Sequence, residues 1–132
     1  IGGQYPLVAS VDDFDPVEWG SYGQDEPDAK SDIDGRANTL ALIESKHDHP
    51  AAQLAVGYQK DGHSDFFLPA QRQISLCRAT ISDKFEKAWY WTSTQYSAIS
   101  AWSQSFDVGC QGYAGKVSKN RVRLVRRSNF KF

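Results

Sequence analysis

The chain has 132 residues, of which 40% are hydrophobic and 13% aromatic, so its length and composition suit one domain that folds alone. Collagen-like repeats, intrinsic disorder and disulfide-dense miniproteins are thereby excluded. The longest stretch without a charged residue, Ala88 to Phe106, contains too much serine, threonine and glutamine to cross a bilayer, so no membrane insertion is expected.

Charge is distributed unevenly along the chain. Residues 1–66 carry 13 acidic and 4 basic side chains and residues 67–132 carry 3 acidic and 11 basic ones, which gives a formal net charge of −1. Because the two halves nearly cancel, we expect the acidic N-terminal region to pack against the basic C-terminal strands around Lys116 to Lys131. The alternative is a basic strip that binds an anionic ligand such as a sulfated glycan, lipopolysaccharide phosphate or nucleic acid. No helix-turn-helix, zinc-finger or RNP-type motif accompanies the charge, so no nucleic-acid partner is expected.

The N-terminal arm, residues 1–30, is acidic and rich in glycine, proline and aspartate, with single aromatic residues between them. Such a composition favours loops pinned by aromatic anchors, with one short strand near Tyr5 to Ser10. The run Asp12-Asp13-Phe14-Asp15 lacks the spacing of an EF-hand, so it predicts a solvated loop rather than a calcium site. The chain begins at Ile1 and contains no methionine, and we therefore expect a processed product or part of a longer protein.

Three helices are predicted next, in chain order. Apolar residues recur at helical spacing over Arg36 to Ser45, where Asp34 or Gly35 is placed to cap the helix. Pro50 occupies a first-turn position before the alanine-rich stretch Ala51 to Tyr58. A third helix is expected from Pro69 to about Ala79.

Beyond Asp83 the pattern indicates strands. Trp89 to Thr94 is β-branched and aromatic, Ala101 to Phe106 alternates small and large residues, and Arg121 to Arg127 is predicted as a final strand. The glycine-rich segment from Gly109 to Gly115 is predicted as a turn. Helices followed by an antiparallel meander indicate an α+β domain with two or three short helices and a small sheet.

The region from Trp89 to Asn120 mixes large aromatic residues with serine, threonine, glutamine and glycine, which is typical of binding surfaces. Four aromatic residues lie at period-two positions and are expected in the core: Trp89, Trp91, Trp102 and Phe106. Five residues in predicted loops are expected to be exposed and to take part in recognition: Tyr96, Ile99, Ser100, Gln111 and Tyr113.

The residue patterns offer little support for catalysis or metal binding. His47 and His49 lack the spacing of a zinc site, and His49 before Pro50 fits a helix-capping residue better. No nucleophile-elbow motif and no phosphate-binding glycine loop occur. Cys77 is predicted on a helix and Cys110 in a turn, and whether they pair is left open.

Six segments, found in order over about Ser31 to Arg127, resemble the DUF1566 family, also called the Lcl C-terminal domain family. They are Asp34-Gly-Arg-Ala-Asn-Thr, His49-Pro-Ala-Ala, Gly62-His-Ser-Asp-Phe-Phe-Leu-Pro-Ala, Trp89-Tyr-Trp-Thr-Ser-Thr-Gln-Tyr-Ser-Ala, Ala101-Trp and Val122-Arg-Leu-Val-Arg-Arg. The resemblance implies a C-type lectin-like fold over residues 31–132, as in phage tropism determinants, other variable proteins of diversity-generating retroelements, and formylglycine-generating enzymes.

The resemblance also implies a function. It points to a non-enzymatic binding module on a phage virion, at the tail or a fibre, or on the bacterial surface, where it recognises a host-surface glycan or protein. The alternative is a structural or decoration protein whose aromatic face packs against other virion subunits or further copies of the chain, for instance in a trimer; a third hypothesis is an enzyme acting on surface polysaccharide. The positions that match the variable surface of the relatives are Tyr96, Ser97, Ile99, Ser100, Ser103, Gln111, Tyr113 and Lys116.

No cofactor and no metal are expected. The calcium-dependent lectins use acidic and amide motifs of the Glu-Pro-Asn or Gln-Pro-Asp kind, and neither occurs in this chain. The enzyme branch of the relatives needs a reactive cysteine pair near the C-terminal sheet, whereas Cys77 lies on a predicted helix.

Overall fold

A computed structural model describes residues 7–128, which form three helices and two sheets, so the predicted α+β class is confirmed. Within these residues no helix is long and apolar enough to cross a membrane. The elements are β1 (Leu7–Ala9), β2 (Phe14–Glu18), α1 (Gly35–Glu44), α2 (Pro50–Val56), α3 (Gln71–Ile81), β3 (Trp89–Gln95), β4 (Ser100–Ser105), β5 (Gln111–Gly115), β6 (Lys119–Val122) and β7 (Val125–Arg127), with a 3₁₀ turn at Ser82–Lys84.

The larger sheet has the strand order β2-β6-β3-β4-β5, and β1 pairs with β7 in a separate two-stranded sheet. Strands β3, β4 and β5 form the predicted antiparallel meander. The chain then returns to the other side of β3, where β6 pairs in the parallel direction through Tyr90 and Arg121. The sheet is therefore mostly antiparallel, with one parallel pairing that the meander did not anticipate.

All three predicted helices are present. The carboxylate of Asp34 accepts a hydrogen bond from the backbone N–H of Ala37 at 3.0 Å, so it caps α1 as expected. Pro50 occupies the first turn of α2. The side chain of Gln73 in α3 accepts from the N–H groups of Ala70 and Gly35 at 2.9 and 3.0 Å, which ties the start of α3 to the start of α1.

Two hydrophobic clusters form the core. Tyr90 and Trp91 are adjacent on β3 and therefore point to opposite faces of the sheet, and both are fully buried. Trp91 packs with Leu42 of α1 and with the alanines of α2, whereas Tyr90 packs with Ile74 of α3 and with Phe106. Alternation along one strand thus places a helical layer on each face.

The N-terminal arm is more structured than its composition predicts. Strand β1 lies inside the predicted Tyr5 to Ser10 strand, whose first two residues lie outside the described part. The arm also contains β2, although its proline and acidic residues favoured a loop. Strand β2 lies at the edge of the sheet, and its register with β6 shifts between Phe14 and Val17, which accommodates the proline. Trp19 of the arm is fully buried in the first cluster.

Charge pairing between the arm and the C-terminal strands is confirmed at Asp13. Its carboxylate lies 2.8 Å from Arg121 and 3.7 Å from Arg123, and it also accepts the hydroxyl of Tyr90. The expectation of a solvated loop at Asp12 to Asp15 was therefore wrong for Asp13. Burial, followed by the hydrogen bond to Asp13, raises the pKa of Tyr90 to about 12.

Two predictions for the C-terminal region were wrong. The segment from Gly109 to Gly115 is a turn only at its start, because Gln111–Gly115 forms β5 by pairing with β4 over five residues. The predicted strand from Arg121 to Arg127 is broken at Arg123 and Leu124, so that β6 joins the large sheet and β7 pairs with β1.

Candidate functional site

Three aromatic rings from neighbouring strands form a partly exposed cluster, which we call the aromatic platform: Tyr96, Trp102 and Tyr113. The rings of Tyr96 and Tyr113 are stacked, with centroids 4.1 Å apart and an interplanar angle of 4°. Trp102 meets both of them edge to face, at 5.2 and 5.8 Å. Tyr96 is 48% exposed and Tyr113 is 58% exposed, whereas Trp102 is half-buried beside them. The two tyrosines therefore present a paired aromatic surface that Trp102 supports.

Strand pairing explains this geometry. Trp102 of β4 and Tyr113 of β5 are direct cross-strand partners, so their side chains share one face of the sheet. Tyr96 follows the last residue of β3 and begins the four-residue turn to β4. Trp102 is thus placed between the two tyrosine-bearing segments. The expectation that Trp102 lies in the core was wrong, because Trp102 is half-buried and packs against two exposed tyrosines.

Backbone hydrogen bonds hold the turn that carries Tyr96. The N–H groups of Tyr96 and Ser97 both donate to the carbonyl oxygen of Ser100 at 3.0 Å. The hydroxyls of Ser97 and Ser100 lie 2.8 Å apart, and the N–H of Ile99 donates to the Ser97 hydroxyl at 3.3 Å. These bonds fix the turn without using the tyrosine hydroxyl.

Two contacts from outside the hairpin clamp the same turn. The carbonyl oxygen of Ala98 accepts from the N–H of Gly23 in the arm at 2.8 Å, and that of Ile99 accepts from the N–H of Lys116 at 2.9 Å. The hairpin, the arm and the segment after β5 therefore define where Tyr96 lies. A surface that is ordered before binding loses less conformational entropy when a ligand binds.

Lys116, a predicted ligand-binding residue, is fully buried and lies below the turn. Its ammonium group donates to the carbonyl oxygen of Gln24 at 2.9 Å and to the side-chain oxygen of Gln95 at 2.8 Å, and it lies 4.9 Å from the centroid of the Trp19 ring. Burial lowers the pKa of Lys116 to about 8, although the charges of Glu26 and Asp25 act in the opposite direction. In this position Lys116 joins the arm to the sheet and does not reach the surface.

The remaining predicted ligand-binding residues differ in how exposed they are. Ile99 is exposed beside the platform, and Ser97 is half-buried. Ser100 and Ser103 are buried in β4, which lies between β3 and β5; the expectation that Ser100 is exposed was wrong. Gln111 is half-buried and exchanges two hydrogen bonds with Gln71 of α3, at 3.1 and 2.8 Å, so its amide group is already partnered.

Trp89 was expected in the core but is 39% exposed. It is the first residue of β3, and its indole lies over the backbone of Gly112. A groove of about 210 Å³ runs beside it and is lined also by Ser103, Tyr113, Ala114, Ser118 and Asn120. Tyr113 lines the groove from the edge strand β5, but Trp89 and Ser103 lie on the face of the sheet opposite to Trp102, so the groove and the platform open on different faces. Period-two spacing predicts the face of the sheet on which Trp89 lies, but it does not predict whether a residue at the end of the strand is buried.

A second polar cluster lies on the arm at Glu26. One carboxylate oxygen of Glu26 accepts from the hydroxyl of Ser45 at 2.8 Å, from His47 at 3.0 Å and from His49 at 2.8 Å. Burial would raise the pKa of Glu26, but the hydrogen bonds from Ser45, His49 and His47 outweigh it, and the pKa lies below its usual value. His49 precedes α2 as expected but does not cap it with its side chain, because it binds Glu26 instead.

A larger groove, of about 550 Å³, runs between the same part of the arm and α1. Its polar groups include Glu26 and Ser45, which already bond to each other, and its helical wall is formed by Ala37, Leu40 and Ala41. This groove has the larger volume, but the platform has exposed aromatic rings, which suit ligand binding better.

Within residues 7–128 the two cysteines are not paired with each other. Cys77 is buried in α3, where burial raises the pKa of its thiol to about 11. Cys110 is exposed in the turn before β5. Among residues 7–128 no group of three or more histidine, cysteine, aspartate or glutamate side chains is arranged to hold a metal ion.

Comparison of the chain with known protein families and with curated proteins finds no match. The geometry of the platform makes it an ordered aromatic surface that suits binding by contact area and hydrogen bonding.

Proposed function

We propose that this domain is a non-enzymatic binding module that uses the aromatic platform to recognise a glycan or protein on a host surface. The observation that carries the proposal is the stacked pair of exposed tyrosines, Tyr96 and Tyr113, held by a half-buried tryptophan and a clamped turn. Tyrosine supplies a large, rigid contact area at a low cost in side-chain entropy, and its hydroxyl adds a hydrogen bond.

The setting that we propose is a phage virion, at its tail or a fibre, or the bacterial cell surface. This part of the proposal comes from the resemblance to the DUF1566 family and to C-type lectin-like domains. The α+β arrangement supports it in outline, since helices and a small sheet carry a surface formed by the C-terminal hairpins.

The test measures attachment of the 132-residue chain to a panel of bacterial cells by flow cytometry. The double variant Tyr96→Ala/Tyr113→Ala is expected to lose attachment while its melting temperature stays close to that of the parent, because both rings are about half-exposed. Leu76→Ala is the matched control, since Leu76 is 52% exposed on α3, outside the platform, and this variant should attach normally. If the double variant attaches as strongly as the parent, the platform is not the binding surface.

A structural role is the second candidate, favoured by exposed apolar side chains near the platform, those of Ile99 and Val117. In that role the platform packs against neighbouring virion subunits or another copy of the chain. Analytical ultracentrifugation separates the two candidates. A self-associating parent that becomes monomeric as Tyr96→Ala/Tyr113→Ala supports the structural role, and a monomeric parent that attaches to cells supports binding.

A further inference from the structure

We infer that the groove beside Trp89 binds one ring of an uncharged saccharide. This inference rests on the proposed binding function and extends it to a pocket on the other face of the sheet. The groove is lined by the exposed indole of Trp89, by Ser103, Ser118 and Asn120, and by Tyr113 of the edge strand β5.

The indole of Trp89 is fixed in position. A side chain built at Gly112 would lie 3.6 Å from the Cη2 atom of Trp89, so the six-membered ring lies in contact distance above the backbone of the edge strand β5. The face of an aromatic ring carries partial negative charge, and the C–H groups of a sugar ring, polarised by neighbouring oxygens, carry partial positive charge. A supported, partly exposed indole is therefore a suitable surface for a sugar ring to stack on.

The amide of Asn120 supplies an unused hydrogen-bond donor. Its Nδ2 atom is buried and has no hydrogen-bond partner among residues 7–128. A buried donor without a partner destabilises the fold, so its retention calls for an explanation. The donor lies below the surface, and a rotation of the amide group would bring it to the groove that Asn120 lines, where a ligand hydroxyl would satisfy it.

Size and charge narrow the class of ligand. The groove, at about 210 Å³, is smaller than the ~300–1,000 Å³ of pockets for drug-sized ligands, so it suits a single ring. The described residues that line it are all uncharged. A sulfated or acidic sugar would lose its hydration there without gaining an opposite charge, which favours a neutral one.

The experiment uses the 132-residue chain and saturation-transfer NMR with four neutral probes, the methyl glycosides of glucose, galactose, mannose and N-acetylglucosamine, and with sialyllactose as the charged probe. We expect transfer to at least one neutral glycoside and weaker transfer to sialyllactose. Transfer to none of the four, or a preference for sialyllactose, overturns the inference.

Two variants test the residues. Trp89→Ala should abolish transfer, whereas Trp89→Phe should retain part of it. Asn120→Leu keeps the side-chain size, removes the donor, and should weaken binding about three- to tenfold while leaving the melting temperature equal or higher, because it deletes an unpartnered buried group. Binding by Asn120→Leu equal to that of the parent would show that Asn120 makes no hydrogen bond to the saccharide and would overturn this part of the inference.

The saccharide inference and the proposed role of the platform can be refuted independently. If Tyr96→Ala/Tyr113→Ala loses attachment to cells while Trp89→Ala and Asn120→Leu attach normally, the saccharide inference is wrong and the proposed function stands. If the neutral glycoside binds the parent and is lost in Trp89→Ala, yet Tyr96→Ala/Tyr113→Ala attaches to cells as the parent does, the groove stands and the platform does not.

Discussion

The buried ammonium of Lys116 predicts a specific dependence of stability on pH. Its pKa is lowered from 10.5 to about 8 in the folded chain, chiefly by burial. Between these two values the unfolded chain binds more protons than the folded one, so the free energy of unfolding rises with pH. Below pH 8 both states are protonated, and the folded state carries the full cost of the buried charge.

The magnitude follows from the two pKa values. A tenfold change in proton affinity corresponds to about 1.4 kcal/mol, so the protonated ammonium costs the fold about 3 kcal/mol, and about 2 kcal/mol of that is relieved between pH 7 and 9.5. Lys116→Met keeps a long side chain but cannot ionise. The free energy of unfolding of the parent, relative to this variant, should therefore rise by about 2 kcal/mol over that interval.

Urea unfolding followed by tryptophan fluorescence measures this difference at the two pH values. Titration of Tyr58 and Tyr90 does not disturb the comparison, because their raised pKa values lie above the interval and both residues are present in both proteins. If the two stability curves run parallel from pH 7 to 9.5, Lys116 is not the buried, desolvated tie between arm and sheet that we describe.

Two further predictions concern the fold. Trp91→Ala should lower the free energy of unfolding by about 3–5 kcal/mol, measured by urea titration, because Trp91 is fully buried in the first core cluster; a variant as stable as the parent would place Trp91 outside the core. Gly20→Ala should cost more than Gly23→Ala in the same assay. Both glycines have positive φ, of 103° and 86°, but only a side chain at position 20 would collide, 2.2 Å from a backbone oxygen in the connection from α1 to α2. Equal free energies of unfolding for the two alanine variants would contradict this placement of the arm.

Local sequence signals were sufficient to predict the elements whose bounds depend on neighbouring residues in the chain. The cap at Asp34 and the first-turn proline at position 50 place α1 and α2 within two residues of their observed bounds, and the β-branched and aromatic run predicts β3. Strand β5 had no such signal, because its two glycines favour turns, and it forms through its pairing with β4.

The candidate site was predicted in part for the same reason. Tyr96, Ile99 and Tyr113 are exposed, as their positions in predicted loops suggested, although Tyr113 lies on a strand. Burial of Lys116 and exposure of Trp89 depend on which other segments cover them. That cover comes from residues distant in the chain, such as Gln24 over Lys116, and sequence periodicity carries no information about it.

The central claim is that Tyr96 and Tyr113 contact the ligand, and hydroxyl-radical footprinting of the 132-residue chain on target cells tests it most directly. Both tyrosines should be labelled in the free chain and protected in the cell-bound chain, whereas Leu76 on α3, exposed to a similar degree, should be labelled equally in both states. Labelling of Tyr96 and Tyr113 that is the same in the free and the cell-bound chain would contradict the account.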